Sequence, residues 1–512
     1  MPLFVVECIS VLVWRGSLII KIRRFRGANG YCCKAPPDSP AINAGDEIVG
    51  DYILSSWCPF KFAVARLAAA AWLTNVLSLA GAEPALLLKS QVNPRYFSDG
   101  TKAVYLTGQH IPTDLNDWVG SPIINFTAFT ENMVAKNHNF LRLWALDASY
   151  AYQLDGNLGA IMPNPFLRIG PHLASDSLPK FDISQLNQFY FDRLRARVVE
   201  AGSKGIYVSV MLTNGIFVER ADNFAYSMYR HPANNVNRAL SSLTNLTQYT
   251  LSNTEWVKYM DAYVDKVVDT VNDLNNVLYE ISNEAQPNTS ACQEHVINRM
   301  HTREAGKQKQ HFVGKTAYGG NAPDSNINTD LLSGNADWIS LAGRSRPTYT
   351  TDVVDAPATK VSILDTDHIY GFGIPVAERV TWVWKSFTRG HNPIYITPQT
   401  AYPGGFVHYP EIESSLGYAR ALADRIDLLH MVPSDRSAST GYCLANIDVE
   451  YVVYQPNKAS FTVVLPARTF NYEWIDPFTG TITHKGSFTA TAGNRTFDLP
   501  SGYTSALLHL KF

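Results

Sequence analysis

The chain has 512 residues, 46% of them apolar and 17% charged, with a formal net charge of -2. That length exceeds one ordinary core, so a large domain with a smaller companion is expected. The apolar fraction excludes a disordered chain, and the near-neutral charge offers no footing for nucleic acid.

Residues 1–58 hold four of the six cysteines (Cys8, Cys32, Cys33 and Cys58) and the basic run "IIKIRRFRG", with no clear periodicity. Neither these cysteines nor Cys292 and Cys443 have the paired spacing with histidines that a zinc site needs, so no metal and no cofactor is expected. Residues 59–82 read as a secretory signal. Lys61 and Arg66 lead an apolar run from Leu67 to Leu79, and Ala80-Gly81-Ala82 gives a small-residue cleavage pattern before Glu83. The run is short beside the roughly 20 residues of a membrane span. The expectation is therefore a secreted or periplasmic protein with no membrane span in the mature chain. Residues 1–58 would then be an upstream extension, as a wrongly chosen start codon would add. Sequons at Asn125, Asn245, Asn288 and Asn494 fit secretion.

From Glu83 onward, a hairpin is predicted around the Asp99-Gly100 turn. Strand and helix patterns then alternate. Strands are read at 103–110, 140–147, 205–215, 277–281, 311–320, 336–343, 360–368 and 393–400. Helices are read at 126–137, 184–201, 254–274, 291–307 and 376–387, the clearest carrying Trp256, Met260, Tyr263, Val267, Val271 and Leu274 at steps of three and four. Eight strands with mostly helical connections predict an α/β fold, a (β/α)8 TIM barrel over residues 83–432. An open doubly wound sheet is the rival, weakened because no Gly-rich phosphate loop follows an early strand. After about Pro433 the strands become short and closely spaced ("ASFTVVL", "FNYEWID", "GTITHKG", "NRTFDLP", "SALLHLKF"), which predicts a small C-terminal β-sandwich over 433–512.

In such a barrel the chemistry sits at the C-terminal strand ends. Those ends carry Gln109 and His110, then Arg142, Trp144 and Asp147, then Asn214, Asn283 with Glu284, Tyr318, and finally Asp365, Asp367 and His368. Strands four and seven supply acids on opposite sides of a closed ring. Glycoside hydrolysis needs two such carboxyl groups: one protonates the leaving oxygen, and the other attacks the anomeric carbon or activates water. Glu280 shares the parity of Glu284 but lies deeper, and reads as a structural acid paired with Arg142 or Lys315. Trp382 and Trp384 fall within a helix and read as packing residues.

The motifs "NVLYEISNE", "HPANNVN", "LDTDHIYGFG" and "WVWKSFTRGHNPI" resemble those of clan A glycoside hydrolases, and more narrowly a set of apiosidase-like, cellulase-type secreted proteins. In that set a β domain with a collagen-binding label follows the barrel, and "ASTGYCLAN" is similar to its entry. The resemblance runs from about residue 84 to the end. It implies that Glu284 is the general acid/base and that the nucleophile is Asp365 or Asp367, with retention following by clan analogy. His110, Arg142, Trp144, Asn214, Asn283, Tyr318 and His368 would contact the sugar. The chain departs from the family pattern in three places: Asp replaces the usual Glu on strand seven, Thr213-Asn214-Gly215 ends strand three, and "ITPQT" ends strand eight. The expected function is hydrolysis of a glycosidic bond in an oligo- or polysaccharide. The alternative is a non-catalytic carbohydrate- or matrix-binding protein on a degenerate barrel. The sequence says nothing of the oligomeric state.

Overall fold

The computed structural model describes the backbone of residues 5–14 and 17–26. Beyond these it describes residues 83–120, 123–145, 149–152, 158–215, 226–228, 231, 233–237, 251–285, 289–317, 324–342, 354–365, 374–397 and 408–512. Eight parallel strands close into a barrel: Gly108–His110, Phe140–Trp144, Tyr207–Asn214, Val277–Asn283, Val313–Thr316, Trp338–Ser340, Val361–Asp365 and Asn392–Ile396, here strands one to eight. Strand one pairs with both strand eight and strand two, which closes the ring. The helices Phe126–Ala135, Gln188–Ser203, Thr254–Val271, Ser290–Ala305, Asp324–Ser333, Val376–Thr388 and Pro410–Ala423 run between or after the strands. The predicted (β/α)8 barrel is the observed fold, and each of its strands falls on a predicted one.

The period-two alternation of each strand sorts its side chains into two cores. Val277, Tyr279 and Ile281 of strand four face outward with Leu141, Leu143, Val208 and Val210, against the helices. Phe140, Tyr207, Leu278, Trp338, Ile363 and Ile394 face inward and fill the lower barrel. Gly314 on strand five makes room there, since a Cβ at that position would lie 1.9 Å from Cε2 of Trp338. Above this apolar plug the inward positions become polar, at Arg142, Glu280 and Asp365. Higher still, Trp144, Met211 and Ile396 meet Trp118 and Ile161, which pair in a small antiparallel sheet outside the barrel. The barrel is thus a filled core with one charged layer near its C-terminal face.

Several elements differ from the sequence reading. The first predicted strand divides: Ala103–Val104 joins a small sheet with Leu88–Lys89 and Phe97–Ser98, and only Gly108–His110 enters the barrel. The Asp99-Gly100 turn is present, with Gly100 at φ +96° and Oδ1 of Asp99 accepting from the backbone of Thr101 and Lys102. Between strand two and the next helix lies an antiparallel pair, Phe166–Leu173 and Pro179–Leu186, in a stretch where no strand is predicted above. The helix therefore starts at Gln188 rather than Ser184.

All five predicted C-terminal strands are present, together with Cys443–Asn446 and Glu450–Gln455, which the sequence reading missed. Five of these seven join Val432–Pro433 in a six-stranded antiparallel sheet, which faces the two-stranded sheet of Phe461–Leu465 and Gly493–Phe497. Val453, Phe461, Val463, Phe470, Leu508 and Leu510 pack between the sheets. The outer face of the larger sheet packs on the barrel. Val452, Tyr454, Ile475 and Leu507 share a core with Trp382, Trp384, Ile412 and Leu416. Trp384 also donates from Nε1 to the carbonyl of Pro477 at 2.9 Å. Trp382 and Trp384 are packing residues, as expected.

Residues 1–72 form a separate unit from 73–512. Its described part is an antiparallel hairpin of Val5–Trp14 with Ser17–Arg26, where the sequence showed no clear period. The signal-like segment 59–82 lies outside the described residues. Among the described residues no helix is long and apolar enough to cross a membrane.

Candidate active site

Arg142 is the hub of the charged layer. Its Nε donates to Oε2 of Glu280 at 2.8 Å, and its Nη2 bonds Oε1 of the same carboxylate. Nη1 reaches Oδ2 of Asp365 at 3.1 Å, and Nη2 also reaches Oδ1 of Asn283 at 3.0 Å. One guanidinium on strand two therefore ties strand four to strand seven. The planar five-donor fork suits this task, since a lysine could not direct parallel bonds at one acid and a third at another. Glu280 is the structural acid that the sequence predicted, and its partner is Arg142. Lys315 points outward instead, to Glu294 at 3.0 Å and Asp330 at 2.7 Å.

His110 on strand one joins the same cluster. Its Nε2 lies 3.1 Å from Oδ1 of Asp365, and its Nδ1 lies 2.8 Å from Nε1 of Trp144. Both carboxylate oxygens of Asp365 are thus engaged from two strands. The Trp144 ring lies 5.2 Å from the guanidinium carbon of Arg142, within cation–π range. Asp114, in the loop after strand one, accepts from the backbone N–H of Trp144 at 2.8 Å. Burial pushes the Asp114 carboxyl well above the usual carboxylate range. Sequence reasoning passed over Asp114, although an acid four residues beyond the strand-one tip was a visible signal.

The tip of strand four is shaped by its neighbours. Oγ1 of Thr213 donates to the carbonyl of Ile281 at 2.9 Å, and Oγ1 of Thr316 donates to that of Ser282 at 2.7 Å. The backbone of Gly215 donates to the carbonyl of Asn283 at 2.7 Å. The chain then turns through Glu284 at φ +43°, in the left-handed region that a non-glycine residue enters at a cost of about 1–2 kcal/mol. A Cβ on Gly215 would sit 2.4 Å from Cα of Ala285 and 2.6 Å from the carbonyl oxygen of Glu284. Glycine at 215 is what lets the two strand tips approach. Asn283 is oriented at both ends of its amide, by Arg142 and by Oδ1 of Asn214 at 3.2 Å.

Of the residues predicted for the site, His110, Arg142, Trp144, Asn214, Asn283 and Asp365 join one hydrogen-bonded cluster. Glu284 follows directly on Asn283 and is partly exposed. Tyr318, Asp367 and His368, like the tip residue Asp147, lie outside the described residues.

No family model matches the sequence, and no curated protein matches it. Solved structures do match. A glycoside hydrolase family 5 protein from Bacteroides vulgatus gives a TM-score of 0.57 at 13% identity, over 83% of this chain and 93% of that one. A second protein, described as a glycoside hydrolase, gives 0.56 at 13% identity, over 83% of this chain and 97% of its own. What the likeness shows is the shared fold, a (β/α)8 barrel.

Proposed function

We propose that the protein is a secreted glycoside hydrolase that cleaves a glycosidic bond in an oligo- or polysaccharide with retention. The observation that carries this reading is the Arg142 bridge, which joins the acid at the end of strand seven to the Asn-Glu pair at the end of strand four. Glu284 protonates the leaving oxygen while Asp365 attacks the anomeric carbon and forms a glycosyl-enzyme. Glu284, now a carboxylate, then takes a proton from water as that water attacks the same carbon and releases Asp365. Arg142 and His110 hold Asp365 at a fixed angle, which limits the motion lost on reaching the transition state. Asn283 presents an oriented amide to a sugar hydroxyl beside the reacting carbon. Asp367 is the competing nucleophile, and Tyr318 and His368 complete the sugar contacts. The apiosidase-like subtype is part of the same proposal, as is release of the mature chain near Glu83.

A second reading, a carbohydrate-binding protein on the same barrel, is favoured by one observation: both oxygens of Asp365 are already engaged. Turnover on a panel of aryl glycosides and plant and microbial polysaccharides separates the two readings. The hydrolase reading expects turnover by the wild type and its loss in folded Glu284→Gln. Binding without turnover in both proteins would replace it with the binding reading.

A further inference from the structure

His110 is fully buried, and both of its ring nitrogens have partners in line across the barrel mouth. The partner of Nδ1 is an indole N–H, a group that donates and never accepts. Nδ1 must therefore accept, and the imidazole proton sits on Nε2, aimed at Asp365. The two rings are nearly parallel, 20° between planes with centroids 5.7 Å apart. Trp144 is itself anchored, its backbone N–H on Asp114 and its ring beside Arg142.

The charges around His110 make this lock consequential. The ionisable groups of this cluster, among the described residues, are Asp365, then Arg142 and Glu280 behind it, with Asp114 behind Trp144. A second proton on the imidazole would make an imidazolium that pairs with Asp365, 3.1 Å away. With Trp144 in place, a proton on Nδ1 would bring two N–H groups head to head at 2.8 Å in a buried site.

We infer that Trp144 is a positioning residue that locks His110 in the Nε2–H tautomer, making the imidazole a fixed neutral donor to Asp365. The lock keeps Asp365 from being tied up in an ion pair with an imidazolium, and it withdraws His110 from proton transfer. The tautomer stands on the hydrogen-bond geometry alone; its catalytic consequence rests on the glycoside hydrolase reading.

Selective 15N-histidine labelling of the full chain tests the lock. The His110 signals are assigned by their loss in His110→Gln. The wild type should show a bare Nδ1 and a protonated Nε2 unchanged between pH 5 and 8. In Trp144→Phe, Nδ1 should gain a proton on acidification, because phenylalanine keeps an aromatic ring but lacks the donor. A wild-type His110 that titrates in this range, or that carries its proton on Nδ1, would overturn the inference. So would a Trp144→Phe imidazole that behaves as the wild type does. On substrate, kcat of Trp144→Phe should fall by roughly tenfold below about pH 6 relative to pH 8, beyond any fall in the wild type. A merely structural role would lower kcat equally at both. If no substrate turns over at all, the hydrolase reading fails while the 15N signals still decide the tautomer.

Discussion

Arg142 and Glu280 form a two-point ion pair inside the barrel, with 4% and 0% of their side chains exposed. A pair so desolvated is weak evidence of net stabilisation, but breaking it leaves one charge uncompensated at a penalty of about 3–5 kcal/mol. Glu280→Gln should therefore lower the unfolding free energy by a few kcal/mol in denaturant titration. Glu284→Gln, at a partly exposed tip, should stay near the wild type in stability and lose turnover. The two acids, four residues apart, one within strand four and one just past its end, are expected to separate fold from chemistry.

Gly215→Ala places a methyl group against Glu284 and Ala285 at distances that no Cβ tolerates. The tip of strand four must shift, and displacement of a catalytic group by an ångström can reduce the rate about 100-fold. kcat/KM should fall by one to two orders of magnitude while near-ultraviolet circular dichroism retains the folded signature.

Two buried histidines set an acid limit on stability. Burial drives both His138 and His391 down to about 4 from the ordinary 6.5. The unfolded chain takes up their protons first, so the stability they contribute is complete above about pH 6.5. It is lost as the pH falls from there to about 4, by on the order of 3 kcal/mol for each residue. Chemical denaturation at pH 7, 5.5 and 4.5 should show this decline, and His391→Gln should reduce its slope.

The barrel and the C-terminal sheets share one apolar core through Trp382, Trp384, Val452, Tyr454 and Leu507. Ending the chain at residue 432 would expose that core, and the truncated protein should aggregate on expression. Trp384→Ala in the full chain should cost about 3–5 kcal/mol and lower the single unfolding midpoint. Separate transitions for barrel and sheets in the wild type would contradict a shared core.

The barrel strands were legible because their two faces meet different environments, apolar inside the lower ring and apolar against the helices. Arg142, Glu280 and Asp365 stood out as charges at inward parity. The pair Phe166–Leu173 and Pro179–Leu186 was hidden because Gly170, Pro171 and many exposed side chains break any alternation. Glu450–Gln455 was hidden for the opposite reason. All of it is buried, yet it opens on an acid, which His509 at 2.8 Å and the backbone N–H of Asp427 at 3.1 Å make tolerable. In the site, single residues were readable but their pairing was not. Trp144 and His110 lie 34 positions apart on neighbouring paired strands, and Asp365, 255 positions from His110, reaches it because the ring closes.

The central claim, that the Arg142 cluster presents Asp365 as the nucleophile, is tested most directly by trapping the glycosyl-enzyme. A 2-deoxy-2-fluoro glycoside of the sugar that the panel reveals is incubated with the full chain, and the labelled peptide is located by mass spectrometry. The account predicts a single label on Asp365. A label on Asp367 or Glu280, or hydrolysis that inverts the anomeric centre with no label, would contradict it.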